Sequence, residues 1–215
     1  MNIGIIGSGK IGASVGKMWA AKGHKVLFSD ILVDAAKAAT GTVENVSHGN
    51  VRDAVIFGGV ILLSIPYSSL SSVLKEITSA NISDNRVIID CTNPLSPDYR
   101  TLVTNPNTSA AEEINEYLKH LGNFKVVKAL NTIASPVFES GDTSFGNDKA
   151  TMFYCGDDSD AKKIVAELIA DLGFEPVDAG PLVNARFLEP LAALIIQLAV
   201  SQEMGTNIAL KLLKR

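Results

Sequence analysis

The stretch GIIGSGKIGASVGKMWAAKGHKVLFSD, residues 4–30, constrains the fold more than any other part of the chain. An apolar β-branched run leads into Gly7-Ser8-Gly9-Lys10-Ile11-Gly12, and a helical stretch closed by Gly23 follows. Gly7 permits the tight turn off the strand, Gly9 lets a pyrophosphate approach the backbone, and Gly12 lets the helix sit close to the sheet. The helix N-terminus then offers free N–H groups and partial positive charge to phosphates. A second strand, KVLFSD, ends in Asp30, at the spacing where an acid meets the adenosine ribose of a dinucleotide. Strand, glycine turn, helix and strand ending in acid together are the context this fingerprint requires.

The rest of the chain keeps the alternation. Apolar strands are expected at GVILLSIP, RVIID and FKVVKALNTI, with a weak one near residues 42–46 and helices between them. The uninterrupted run in GVILLSIP marks a strand covered on both faces. Strand–helix alternation implies a parallel sheet with right-handed crossovers. The fold class expected is therefore α/β: a Rossmann-type, doubly wound parallel sheet with a small C-terminal α/β part. The boundary is placed at 134/135, between a dinucleotide-binding unit (1–134) and a small unit (135–215) ending in a long apolar helical tail. Residues 134–150 read as a loop-rich link.

Function classes narrow in the same way. Net charge is −4, with no basic run interleaved with aromatics, so nucleic acid is not expected as a partner. The two cysteines, Cys91 and Cys155, form neither a disulfide framework nor a metal site, and they read as buried small residues. His24, His48 and His120 are scattered, and no metal is expected. MNIGIIG enters a strand at once, without the pattern of a signal peptide, so a cytoplasmic location is expected. The apolar run Phe187 to Val200 is shorter than the roughly 20 residues of a membrane span and carries Glu189, Pro190 and Gln197. A buried or interfacial helix is expected there, with no membrane contact and with a homodimer formed through the tail.

The ends of the strands supply the remaining candidates, because ligands of such sheets lie beyond those ends. Ile65-Pro66-Tyr67 follows the fourth strand and Thr92-Asn93-Pro94 the fifth. Tyr67 is a candidate for stacking on a ring, and Thr92 and Asn93 for bonding the nicotinamide ribose or carboxamide. The carboxylate of Asp30 suits the ribose hydroxyls of NAD and repels the 2′-phosphate of NADP. At about 4 Å that repulsion is roughly 1 kcal/mol in water and 4 at an effective dielectric near 20. Ile31 brings no compensating charge, and Lys10 and Lys37 are the nearest basic residues in sequence. Lys128 is a candidate catalytic group, although a mid-strand lysine ordinarily pairs or snorkels.

Six segments, GIIGSGKIG, ILLSIPYSSL, SAAEEINEYL, VVKALNTIAS, FYCGDDSDAKK and PVDAGPLVNARFLEPL, carry a resemblance that covers nearly the whole chain. The sequence resembles the NADP oxidoreductases dependent on the deazaflavin coenzyme F-420, whose domain also forms the cytosolic part of six-transmembrane ferric reductases. The resemblance implies that Gly7–Gly12 binds the pyrophosphate and that Ile65-Pro66-Tyr67 and Thr92-Asn93-Pro94 line the nicotinamide half. It implies that Ala129 to Ala134 lies at the hydride-transfer cleft, which makes Asn131 and Thr132 the catalytic candidates. Two positions depart from the family pattern. Asp30-Ile31 stands where NADP-selective members carry small polar and arginine residues, and Asn131 where the deazaflavin enzymes can carry histidine. The resemblance thus suggests NADP and the local chemistry NAD.

No paired acid and base is evident. Hydride transfer between a nicotinamide and a flavin or deazaflavin needs none, because stacking the two rings supplies the geometry and the cofactors supply the chemistry. Two other readings stand beside an oxidoreductase with a small-molecule hydride acceptor. One is an imine or β-hydroxyacid reductase related to pyrroline-carboxylate reductase, which ordinarily gains from a general acid. The other is a non-catalytic NAD(P)H-binding sensor.

Overall fold

The computed structural model describes residues 1–41, 44–121 and 123–215. Six strands run parallel through the first part of the chain: β1 (Asn2–Ile6), β2 (Lys25–Ser29), β3 (Val46–Gly49), β4 (Val60–Leu63), β5 (Arg86–Asp90) and β6 (Phe124–Lys128). The helices between them are α1 (Lys10–Ala21), α2 (Val33–Thr40), α3 (Val51–Phe57), α4 (Leu70–Ser79) and α5 (Ala110–Leu118). The weak strand expected near residues 42–46 lies later, at β3; positions 42 and 43 themselves fall outside the described residues.

The link after β6 has more structure than its Gly, Ser and Asp content suggests. It holds α6 (Ser135–Ser140) and a short antiparallel pair, β7 (Ser144–Phe145) with β8 (Asp148–Lys149). Then come β9 (Thr151–Gly156), α7 (Ser159–Asp171), β10 (Glu175–Asp178) and α8 (Ala185–Ile196). Strands β9 and β10 join the same sheet, whose order is β10-β9-β6-β5-β4-β1-β2-β3. Only β9 against β6 is antiparallel, through Val127↔Gly156 and Lys128↔Cys155. Strand order reverses between β1 and β4, and that switch point is where such sheets open a crevice for a ligand.

Two apolar layers hold the sheet. On one face Val15 and Trp19 of α1, Phe138 of α6 and Leu168 of α7 meet Ile3, Ile5 and Leu62. Trp19 is fully buried, and its indole N–H donates to the Leu168 carbonyl at 3.0 Å, tying α1 to α7. On the other face α3, α4, α5 and α8 cover Ile6, Ile61, Leu63 and Ile88. All four residues of β4 are buried, which explains its unbroken apolar run.

The helical tail is shorter than its composition suggests. The helix beyond α8 widens into a π turn over Gln197–Ser201 and stops. Gly205, at φ +76°, donates to the Ala199 carbonyl and closes the end, as glycine does after many helices. Residues 206–215 are not helical. They return to the sheet: Thr151 N–H donates to the Leu210 carbonyl at 2.8 Å, and Leu212 N–H to Thr151 Oγ1 at 3.0 Å.

Candidate active site

The glycine loop sits at the switch point, and its glycines do different jobs. Gly7 has φ +98°, a conformation that L side chains rarely adopt. A Cβ on Gly12 would lie 2.0 Å from the Gly7 carbonyl oxygen, so this position is closed by the fold itself. A Cβ on Gly9 would meet nothing within 4 Å, so that position opens to a ligand. Gly9 is the N-cap of α1 and no side chain caps the helix. The first-turn N–H groups, those of Lys10, Ile11 and Gly12 among them, are therefore presented outward without intrahelical partners. Lys10 is exposed, its Nζ 4.0 Å from Glu139 Oε1.

Asp30 follows β2 and turns back onto that loop. Its Oδ2 accepts from Ser8 N–H at 2.7 Å and its Oδ1 from Leu32 N–H at 3.0 Å. Ser8 is held from a second side, its hydroxyl donating to the Ser29 carbonyl at 3.2 Å. A cavity of about 250 Å³ opens beside Asp30, walled by Gly7, Gly9, Ile31, Val51, Ile65 and Pro66. Ile31 is 77% exposed, so nothing cationic covers the acid from its own loop. Tyr67 turns elsewhere: its hydroxyl donates to Glu113 of α5 at 2.6 Å. Burial, then the bond and charge of Glu113, raise that phenol above its ordinary range.

The loops after β5 and β6 are locked to each other. Asn93 Nδ2 donates to the Asn131 carbonyl at 3.1 Å, and Asn131 Nδ2 donates back to Asn93 Oδ1 at 3.1 Å. Asn131 Nδ2 also reaches the Leu188 carbonyl on α8 at 3.0 Å. The strand expected to continue to Ile133 ends at Lys128, and Leu130, buried at φ +64°, makes the turn. A bulky residue held in that region is a strained position of the kind found at ligand sites. Around this turn Asn131 meets Asn93, and the Ala129 N–H donates to the Asp90 carbonyl at 3.1 Å. Two buried atoms here, Thr92 Oγ1 and Asn131 Oδ1, lack a hydrogen-bond partner among the described residues. The Thr132 hydroxyl points instead to Met152 Sδ, 3.9 Å away in the core.

Three further residues have a part in this edge, two of which, Asp90 and Glu189, were assigned no site role from sequence. Lys128, Asp90 and Glu189 meet in a buried ion cluster directly beneath the two loops. A lysine ending the apolar strand FKVVK and a lone glutamate in the apolar run FLEPLAAL were the available signals. Asn184 and Arg186, just before and within the start of α8, are both engaged inside the chain. Arg186 forks onto Glu112 of α5 at 2.9 and 2.7 Å, and Asn184 Nδ2 bonds the Ala179 carbonyl. Burial pushes the thiols of Cys91 and Cys155 up to about 12, so neither is a ready thiolate.

Residues 2–94 match the family model described as "NADP oxidoreductase coenzyme F420-dependent". The F420-dependent NADP reductase of Methanocaldococcus jannaschii is 30% identical over 163 residues, covering 73% of this chain and 70% of that protein. The chain belongs to the F420-dependent NADP oxidoreductase family. Membership makes it an oxidoreductase. Metalloreductase STEAP3 of Rattus norvegicus is 27% identical over 98% of this chain, which spans 39% of that longer protein. A crystal structure described as an F420-dependent NADP-reductase from Arthrobacter sp. FB24 shares the fold, with a TM-score of 0.84 at 23% identity over the full length of both chains. For a family oxidoreductase the geometry above is coherent. The uncapped helix, the open Gly9 position and the two unpartnered polar atoms fit a dinucleotide laid along the sheet edge.

Proposed function

We propose that this chain binds a nicotinamide dinucleotide across the C-terminal edge of its sheet and transfers hydride between it and a flavin or deazaflavin. The pyrophosphate rests on Gly7, Ser8, Gly9, Lys10, Ile11 and Gly12 at the N-terminus of α1. The adenosine ribose meets Asp30, and Ile65 and Pro66 wall its cavity. The nicotinamide half lies by Thr92, Asn93, Pro94 and Ala129, with Thr92 Oγ1 and Asn131 Oδ1 as its free polar atoms. Asn131 orients the ring, and Thr132 holds the loop from inside the core. The cofactor supplies the hydride chemistry; the residues supply orientation and keep water out. We propose NAD(H) over NADP(H) for this member, against the family's name, because Asp30 occupies the ribose corner without a nearby cation from Ile31 or Leu32. Cytoplasmic location and a homodimer through α8 complete the reading.

The observation that carries it is the bond from Ser8 N–H to Asp30, which fixes the acid beside the open pyrophosphate turn. The test is nicotinamide oxidation followed optically with NADH and with NADPH against FMN, FAD and a deazaflavin. Saturable turnover with a flavin-type acceptor is expected. Binding without turnover on any acceptor supports the sensor reading, and turnover only on imines or ketones supports the reductive rival.

A further inference from the structure

Three charged side chains are sealed beneath the two site loops, and they do not sum to zero. Lys128 Nζ donates to Asp90 Oδ2 at 2.9 Å, to Glu189 Oε1 at 2.8 Å and to the Thr92 carbonyl at 2.5 Å. Lys128 and Asp90 are 0% exposed and Glu189 1%. One ammonium therefore faces two carboxylates. The N-terminus of α5 adds partial positive charge, through the N–H groups of Ala110 and Ala111 at 3.1 and 3.4 Å from Glu189. A helix end supplies about half a unit charge, so a negative remainder is left. The other ionisable neighbours do not cancel it. Arg186, one turn before Glu189, is taken by Glu112, and Tyr67 and Cys155 are held protonated. Stability alone does not call for a third buried charge, since each one adds a desolvation cost.

The position gives the charge a use. Thr92 N–H donates to Asp90 Oδ1 at 2.9 Å while the Thr92 carbonyl accepts from Lys128, so both its backbone polar groups are held from below. Asn131 bonds the carbonyl of Leu188, the residue before Glu189. The cluster thus underlies both loops assigned to the nicotinamide. When a dihydronicotinamide gives up hydride, the electron pair leaves with the hydrogen for the flavin-type acceptor and the ring becomes a cation. We propose that the Lys128–Asp90–Glu189 cluster sets the charge beneath the nicotinamide so that the chain holds the oxidised, cationic form more tightly relative to the reduced form. This rests on the nicotinamide-binding reading above. It makes Glu189 a positioning residue that favours hydride donation from a helix remote in sequence from the glycine loop.

Calorimetric titration of the full chain with oxidised and with reduced nucleotide gives the ratio of the two Kd values. Glu189→Gln and Asp90→Asn each leave a neutral one-to-one pair of nearly unchanged shape. In either variant the oxidised form should weaken about fivefold relative to the reduced form, the scale of one charge acting across a layer of interior at an effective dielectric near 20. Leu191→Ala loosens the packing of α8 on its own core without changing any charge and should leave the ratio unchanged. The wild-type chain provides an arm without mutation. Burial raises the Glu189 carboxyl against the pull of Lys128, so acidification through the carboxylate range should weaken the oxidised form relative to the reduced form, in the same direction as Glu189→Gln. Contacts to the ribose and Asp30 are common to both nucleotide forms and cancel. An unchanged ratio in a folded Glu189→Gln or Asp90→Asn chain, or a flat wild-type ratio on acidification, overturns the charge-setting role and leaves the nucleotide site standing. Failure of the wild-type chain to bind either form overturns the site itself.

Discussion

The backbone N–H of Ser8 and the carboxylate of Asp30 lie 2.7 Å apart, although 22 residues separate them in sequence. The bond turns the carboxylate toward the phosphate turn, so a 2′-phosphate brought there meets a fixed carboxylate. Wild-type protein should bind NADH at least about fivefold more tightly than NADPH, the lower end of the repulsion expected at about 4 Å. Asp30→Ser with Ile31→Arg should reverse the order, because arginine grips a phosphate with paired bonds. Calorimetry with both nucleotides checks this. Equal or tighter binding of NADPH by the wild type refutes the role given to Asp30.

Gly9 and Gly12 should respond in opposite ways to added side chains. A Cβ at Gly9 enters open space, so Gly9→Val should keep the fold within about 1 kcal/mol while removing nucleotide affinity. A Cβ at Gly12 meets the Gly7 carbonyl, so Gly12→Ala should cost about 1–3 kcal/mol or more, as overpacking does. Denaturant unfolding and nucleotide titration on the same two samples separate the effects. Retained affinity in a folded Gly9→Val chain moves the pyrophosphate off this loop.

Lys128→Met should destabilise the chain by about 3–5 kcal/mol, because Asp90 and Glu189 are then left buried together without a cation. The loss should shrink on acidification. Both carboxyls in the variant would titrate higher when folded than when unfolded, so the folded state binds more protons and gains stability as pH falls. Adding Asp90→Asn and Glu189→Gln should recover much of the loss at neutral pH. Urea unfolding across pH measures all three quantities; a loss that grows in acid contradicts the charge argument.

Arg186 and Glu112 set the opposite slope. Burial would raise the Glu112 carboxyl, but the bonds from Arg186 and Ser109 outweigh it and hold it below the ordinary range. That stability is present above the unfolded carboxylate value and is lost as pH falls through the lower, folded value. Arg186→Gln should therefore be less stable than wild type at neutral pH, with the gap closing in acid. A gap independent of pH points to lost packing alone.

The glycine loop, the strand ends and the parallel alternation were legible because each rests on local spacing. Gly7 to Gly12 and Asp30 are tied by turn geometry and helix polarity within one βαβ unit. The Lys128–Asp90–Glu189 cluster was not legible, since its members lie on two strands and a helix spread over 100 positions and meet only through sheet order. The strand after Phe124 read too long because KALNTI is apolar enough to continue, while Leu130 turns the chain for a tertiary reason. The tail read as helix to its end because hydrophobicity alone does not distinguish a helix from a segment laid against a sheet edge. Thr151 decides that case by bonding Leu210 and Leu212.

The outer face of α8 leaves a final question of association. Leu182–Ser201 forms 20 residues of helix of mean hydropathy 1.4, long and apolar enough by those measures to cross a membrane, and a third of it is buried in this chain. Its inner face is not apolar throughout: Glu189 reaches Lys128 and the N-terminus of α5, and Arg186 forks onto Glu112. Those bonds hold the helix on its own sheet, and a lipid core would have to accommodate both charges. The outer face carries Phe187 and Leu194 seven positions apart on one stripe, 71% and 54% exposed. A two-fold pairing of this stripe covers both at once. Wild-type protein at micromolar concentration should scatter light as a dimer and should not float with neutral phospholipid vesicles. Phe187→Ser with Leu194→Ser changes only outward-facing side chains, so the fold should be kept while the dimer dissociates. A wild-type monomer rejects the pairing, and flotation with vesicles assigns the stripe to lipid.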